Sequence, residues 1–243
     1  MQKISFLKKT YIEEAFESTN TFLKIEAIIG LAKADNDLLS KYMVELDLCL
    51  DDNDLNTSAS FTMFHFFKKN TYHLSKKWMK RLCAVLGKKD LNLGAQRNIM
   101  LIIRNAVING RQTLSKDQRG NLDFCFDHAC DDLKESITSI FLCSRGFLSK
   151  RAINFFTKNL CHDALCLDSS NILIHSVRDK QKMPAETTSK VLQLLNWGSI
   201  NEALREKLME LLVFIVHNKQ KLCEIQLKTV KNQLKSKNSS IRK

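Results

Sequence analysis

Pieces of this chain return at a regular distance. Asp54-Leu55-Asn56 comes back as Asp90-Leu91-Asn92, thirty-six residues on. At that offset Tyr42 aligns with Trp78, Met43 with Met79, Leu46 with Leu82, Leu50 with Leu86 and Ala59 with Ala95. Leu39-Ser40-Lys41, Leu74-Ser75-Lys76 and Leu114-Ser115-Lys116 read as the openings of three successive helices, and Leu46–Asp52 resembles Leu122–Asp127. A period of about forty residues is the mark of stacked supersecondary units, each of which buries its apolar face only against its neighbours.

The spacing inside each unit is helical. Ile99, Ile102, Ile103, Ala106 and Val107 form one apolar stripe, and Arg97 and Arg104, seven apart, share another face that Arg111 would continue. Gly94 is read as preceding that helix and Gly110 as following it. Ser115 with Gln118 has capping-box spacing, Leu122, Phe126 and Ala129 form the next row, and Ile137, Ile140, Phe141 and Phe147 a third. Elsewhere the pattern predicts helices over Ile4–Phe16, Thr21–Ala34, Leu38–Leu50, Ser149–Leu160, Asp168–Val177, Ala185–Trp197 and Ile200–His217. Pro184 suits a first helical turn. One proline and seven glycines are few for 243 residues, as long helices joined by short loops require.

These patterns resemble the HEAT-like α-solenoids, whose repeats are antiparallel helix pairs. The resemblance implies an all-α, right-handed α-solenoid of about six such pairs with no β-sheet, over residues 1–217, followed by a basic C-terminal helix and tail over 218–243. More narrowly, Ala95–Phe147 looks like small bacterial HEAT-like proteins related to the alkylpurine DNA glycosylases, through Gln96–Asn105 (QRNIMLIIRN) and Leu114–Asp132 (LSKDQRGNLDFCFDHACDD). The family's catalytic aspartate and flanking tryptophans have no counterpart motif here, so no catalytic residue is carried over. Asp90, Asp131 and Asp132 are the nearest acids to that role.

The formal charge of +12 points to nucleic acid, an acidic protein surface or an anionic membrane as partner. Between Lys68 and Lys89 stand eight basic residues and no acidic one. Lys76, Lys77, Lys80 and Arg81, beside Trp78, form the densest basic helix face, a candidate phosphate-contacting edge or a solvated outer face. The resemblance implies that second helices line the concave side, which would bring Lys68, Lys69, Arg97, Arg104, Arg145 and Arg178 together, with Trp78 and Trp197 as possible groove aromatics. Phe61, Phe64, Phe66 and Phe67 could stack bases, but their helical spacing is read as core.

Other chemistry is read as absent. Asp51, Asp52 and Asp54 lack the glycine and glutamate of a calcium loop. Cys161, His162, Cys166 and His175 match no zinc spacing. Cys49, Cys83, Cys125, Cys143 and Cys223 fall on apolar helix faces and are read as buried hydrophobes of a reducing compartment. No phosphate loop, nucleophile elbow, H-E-x-x-H or C-x-x-C occurs. Glu202, Glu206 and Glu210 are read as a solvated face. No apolar run reaches the ~20 residues of a membrane span. The expectation is a cytoplasmic protein without metal or cofactor. It would be a non-enzymatic scaffold holding a macromolecular partner, protein or nucleic acid, the alternative being a nucleic-acid binder in DNA alkylation repair.

Overall fold

The structure is a computed structural model. It describes residues 2–128, 130–144, 146–197, 199–218, 220 and 227–228, with the side chains of 2–9, 124, 127 and 128 left aside. The described residues are all-α, with no strand among them. In order they form α1 (Gln2–Glu17), α2 (Thr21–Ala32), α3 (Asn36–Lys41), α4 (Met43–Cys49), α5 (Asn56–Lys69), α6 (Lys76–Leu86), α7 (Leu93–Ile108) and α8 (Lys116–Leu122). A 3-10 turn (Asp123–His128), α9 (Asp131–Cys143), α10 (Lys150–Asn159), α11 (Cys166–Arg178), α12 (Ala185–Asn196) and α13 (Glu202–His217) follow.

The chain divides into two compact units, Met1–Ile137 and Thr138–Lys243, with the boundary inside α9. In the first unit α2, α5 and α7 pack side by side as one row of second helices. The first helices α3 and α4 lie against α5, and α6 lies against α7 and α8. In the second unit α10 packs on α11 and α12 on α13, while α11 and α13 pack together, as do α10 and α12. Each unit is therefore a stack of helix pairs, the solenoid-like packing that the forty-residue period predicts.

The caps explain where the helices begin. Ser75, Ser115 and Ser149 are N-caps that accept from the backbone N–H of Trp78, Gln118 and Ala152, and Ser115 and Gln118 complete a capping box. Leu74, Leu114 and Leu148, one residue earlier, are buried. The third Leu-Ser-Lys opening is thus Leu148-Ser149-Lys150. Leu39-Ser40-Lys41 closes α3 instead, because Asp35 already caps that helix by accepting from Leu38 N–H at 2.8 Å.

The second helices end in a shared way. After α5, Thr71 adopts φ 53°, and Tyr72 N–H donates to Phe67 O at 2.7 Å. After α11, Lys180 adopts φ 66°, and Gln181 N–H donates to Ser176 O at 3.1 Å. These are Schellman closures on residues other than glycine. Glutamines at this position then reach back to the preceding loop. Gln112 Nε2 donates to Leu74 O at 2.5 Å. Gln181 accepts from Leu148 N–H at 2.8 Å and donates to Leu148 O at 2.6 Å. Gln220 does the same to Met183 at 2.9 and 2.5 Å. The opposite edge has its own clasp, where Asn92 Nδ2 donates to Asn53 O at 2.5 Å and to Asn56 Oδ1 at 3.1 Å.

Several readings change. The Leu38–Leu50 helix is two, broken at Tyr42, whose buried ring stacks on Phe16 at 5.8 Å. The row Leu122-Phe126-Ala129 is not one helix. The α-helix stops at Leu122 and a 3-10 turn carries the buried Cys125 and Phe126, while Ala129 lies outside the described residues. Phe147 lies beyond α9 and is exposed. Of the aromatic cluster only Phe67 is fully buried; Phe61 is exposed and Phe64 and Phe66 are half-buried, because a row of second helices leaves one face uncovered. Cys49, Cys83 and Cys125 are core residues, but Cys143, the last residue of α9, is exposed, and Cys223 lies outside the described residues.

Gly94 lies inside the first turn of α7, not ahead of it. A Cβ there would stand 2.7 Å from Thr57 Cγ2 on α5, so the glycine sets how closely the two helices approach. Alanine normally favours a helix over glycine by about 1 kcal/mol; here the collision with a stiff β-branched side chain outweighs that gain. Gly94→Ala is expected to lower stability by about 1–2 kcal/mol in urea titration, and Thr57→Ser, which removes the struck methyl, to restore most of it. A Gly94→Ala protein more stable than the parent would contradict this packing.

Candidate functional site

The predicted basic residues differ in what surrounds them. Arg81 is held by carboxylates, its Nε 2.5 Å from Asp47 Oδ1 and its Nη2 2.9 Å from Asp51 Oδ2. Asp51 also binds Lys88. Burial pushes the Asp51 carboxyl up, but the Lys88 and Arg81 hydrogen bonds outweigh it and hold the group below its ordinary value. Because the folded value is the lower one, the stabilisation is present above the ordinary carboxylate range and is lost as pH falls through the lowered value. Arg178 pairs with Glu210 at 2.6 Å and lies 4.7 Å over the Phe214 ring, and Lys207 also reaches Glu210, at 2.9 Å. Glu210 is thus engaged, not merely solvated. Arg97 lies 3.2 Å from Asp132. Lys69 donates to Ala34 O at 2.6 Å. Arg145 lies outside the described residues.

Lys68, Lys76, Lys77 and Lys80 are exposed, at the end of α5 and the start of α6. Lys76 and Lys80 line a cleft of about 620 Å³ between the α5–α6 turn and the α7–α8 turn, together with Arg111 and Gln112 over a floor that includes Leu74 and Leu114. None of its lining residues is acidic. Arg111, read as continuing the row of Arg97 and Arg104, is beyond the helix in a left-handed conformation, φ 49°. At its neighbour Gly110 a Cβ would stand 2.5 Å from Ala106 O, so that position takes only glycine.

A second surface is the uncovered face of α2, α5 and α7. Thr62 Oγ1 donates to Ile28 O at 2.8 Å, and Asn98 Nδ2 donates to Ser60 Oγ at 3.2 Å. These bonds tie α2 to α5 and α5 to α7. Phe22 is 80% exposed, Ile29 and Phe61 41%, and Ile108 38%. Lys33, Lys68 and Arg104 stand among them with Glu26, while Arg97 on the same face is paired with Asp132.

The candidate acids do not gather beside aromatics. Asp90 stands by Lys88 and Lys89, Asp131 pairs with Lys134 at 2.8 Å, and Asp132 with Arg97. Trp78 is half-buried, edge-on to Phe67 at 5.9 Å. Trp197 is 47% exposed and has Lys190 Nζ 5.7 Å from its ring centre. Among the described residues no group of three His, Cys, Asp or Glu side chains is placed to hold a metal, and no helix is long and apolar enough to cross a membrane.

Sequence reasoning passed over Cys130. It directly precedes α9, where its thiol is held below its ordinary pKa, first by the Leu133 backbone N–H and then by Arg97, whose Nη2 lies 3.4 Å from the sulfur. The signal was out of reach, because Arg97 comes from a helix thirty-three positions earlier. By contrast, burial pushes Cys83 and Cys125 up to about 12 and Cys49 to about 11.

No family model and no curated protein matches the chain. A solved crystal structure of an engineered protein from the Northeast Structural Genomics Consortium is similar at a TM-score of 0.47 and 12% identity. The match covers 95% of this chain and 65% of that one, so the chain spans less than two thirds of the engineered protein's length.

Stopped-flow alkylation across pH is expected to show Cys130 reacting at a pH below the ordinary thiol range. Arg97→Gln would raise the pH at which Cys130 reacts, while Cys49, Cys83 and Cys125 stay protected until unfolding. An unchanged profile in Arg97→Gln would refute the pairing.

Proposed function

We propose that this chain is a non-enzymatic helical-repeat scaffold that holds an acidic, amphipathic segment of a partner protein across the uncovered face of α2, α5 and α7. The observation that carries the reading is the set of exposed apolar side chains on three neighbouring helices, Ile29, Phe61 and Ile108. Singly scattered exposed apolar residues need no explanation, but apolar groups gathered on one face and rimmed by polar groups mark an interaction surface. Lys33, Lys68 and Arg104 on that face, where the three helices carry the acid Glu26, favour an acidic partner and steer its approach. A helix with apolar residues at i, i+3, i+4 and i+7 would seat on Phe61 and Ile108 and direct its carboxylates to Lys33, Lys68 and Arg104.

The nucleic-acid reading has less support. Arg81, Arg97 and Arg178 each stand within ion-pair distance of a carboxylate, so a phosphate backbone would have to displace it. Aliphatic side chains on this face, such as Ile29 and Ile108, offer no stacking surface for bases.

A displayed library of acidic amphipathic peptides and a labelled duplex, each titrated against the whole chain, test this. Peptides are expected to enrich to a Kd of about 10 µM or tighter. Phe61→Glu with Ile108→Glu, both surface changes that spare the core, is expected to weaken them at least about tenfold. No enrichment, or duplex binding tighter than any peptide, would overturn the proposal. Release of alkylated bases from the duplex would replace the scaffold with a glycosylase.

A further inference from the structure

The cleft at the edge of the first unit supports an inference that does not depend on the docking face. We propose that the cleft lined by Lys76, Lys80 and Arg111 binds the phosphate group of a small phosphate monoester. Lys76 and Lys80 are one helical turn apart on α6, so their side chains rise from the same face. Arg111 enters from the following turn, and none of the residues lining the space is acidic. The charge of these three groups therefore meets no carboxylate within the cleft.

The surroundings add to this. α6 opens on Lys76 and Lys77 with no acid in its first turn, so two cations stand at the positive end of the helix dipole. A bound anion there would relieve both the dipole and the lysines. Arg111 stands in a left-handed backbone conformation, φ 49°. Both walls are tied together, because Gln112 Nε2 donates to Leu74 O at 2.5 Å, so the site is assembled before any ligand arrives.

The chemistry selects phosphate over carboxylate. A monoester carries about −1.5 to −2 charges at neutral pH and several acceptor oxygens. Two ammonium groups and one guanidinium fork match that better than they match a single carboxylate. Thr113 adds an exposed hydroxyl at the rim. The volume, about 620 Å³, suits a ligand of nucleotide or sugar-phosphate size.

Isothermal titration of the full chain at low salt tests the site, with adenosine monophosphate, ribose 5-phosphate and inorganic phosphate as ligands and adenosine and ribose as unphosphorylated controls. The monoesters are expected to bind with Kd of about 1 mM or tighter and the controls not at all. Arg111→Gly removes the guanidinium while supplying the residue that a left-handed conformation favours. It should therefore keep or raise Tm and still weaken binding at least about tenfold. Lys80→Gln should weaken binding too, and Lys190→Gln, outside the cleft, should not. No saturable monoester binding up to about 10 mM, binding of inorganic phosphate alone, or an Arg111→Gly protein that binds like the parent would each overturn the assignment.

Discussion

A helix pair in a stack has no sheet ladder to hold it in register with the next, so something must fix the step. Here much of that task falls to side-chain amides that pair with the backbone of the neighbouring loop. Gln181 and Gln220 each present one donor and one acceptor, matching the N–H and C=O of a single residue, Leu148 and Met183. Each such bond contributes about 1 kcal/mol net, but leaving a part-buried loop amide without a partner costs more. These glutamines select one register among many that apolar contact alone would tolerate. The Asn92 clasp at the other edge and the Thr62 and Asn98 bonds between second helices act in the same sense.

The same register decides which charges remain available. Asp47 and Asp51 on the α4 side face Arg81 on α6, Glu210 on α13 faces Arg178 on α11, and Asp132 faces Arg97. These are ties between neighbouring elements, exposed enough that each contributes little to stability. They nonetheless remove their arginines from the pool that a polyanion could use. Lys76, Lys77, Lys80 and Arg111, at the α5–α6 turn with the start of α6 and at the α7–α8 turn, stand outside these ties.

Much of the fold was legible because periodicity reports packing directly. The thirty-six-residue offset pairs Leu55 with Leu91, both buried, and Asn56 with Asn92, which are hydrogen-bonded. The stripe Leu204, Leu208, Leu211, Leu212 and Ile215 is buried throughout. What could not be read is whether a helix face is covered. Phe61 and Phe67 share the same helical pattern, yet one is exposed and the other is core, since coverage depends on the neighbouring helix. The clamps were missed for a related reason. Gln112, Gln181 and Gln220 each follow a basic residue, but a glutamine is unremarkable until the loop it grips is in view. Cys130 likewise acquires its character from the Leu133 backbone N–H together with Arg97, the latter on an element distant in sequence.

Separation of the two tasks makes the face open to test. Register is held at the loops and in the core, by Leu74, Leu114, Leu148 and the glutamines. Phe61 and Ile108 point away from both. If exposed side chains on α2, α5 and α7 were serving stability, replacing them with charge would unfold the chain. If they serve recognition, the fold should tolerate the change and only binding should suffer. Gly94 marks the limit of that freedom: where α5 and α7 approach most closely, even one methyl meets Thr57. The stack is thus least tolerant between its second helices and most tolerant on their far side, which is where a partner would have to sit.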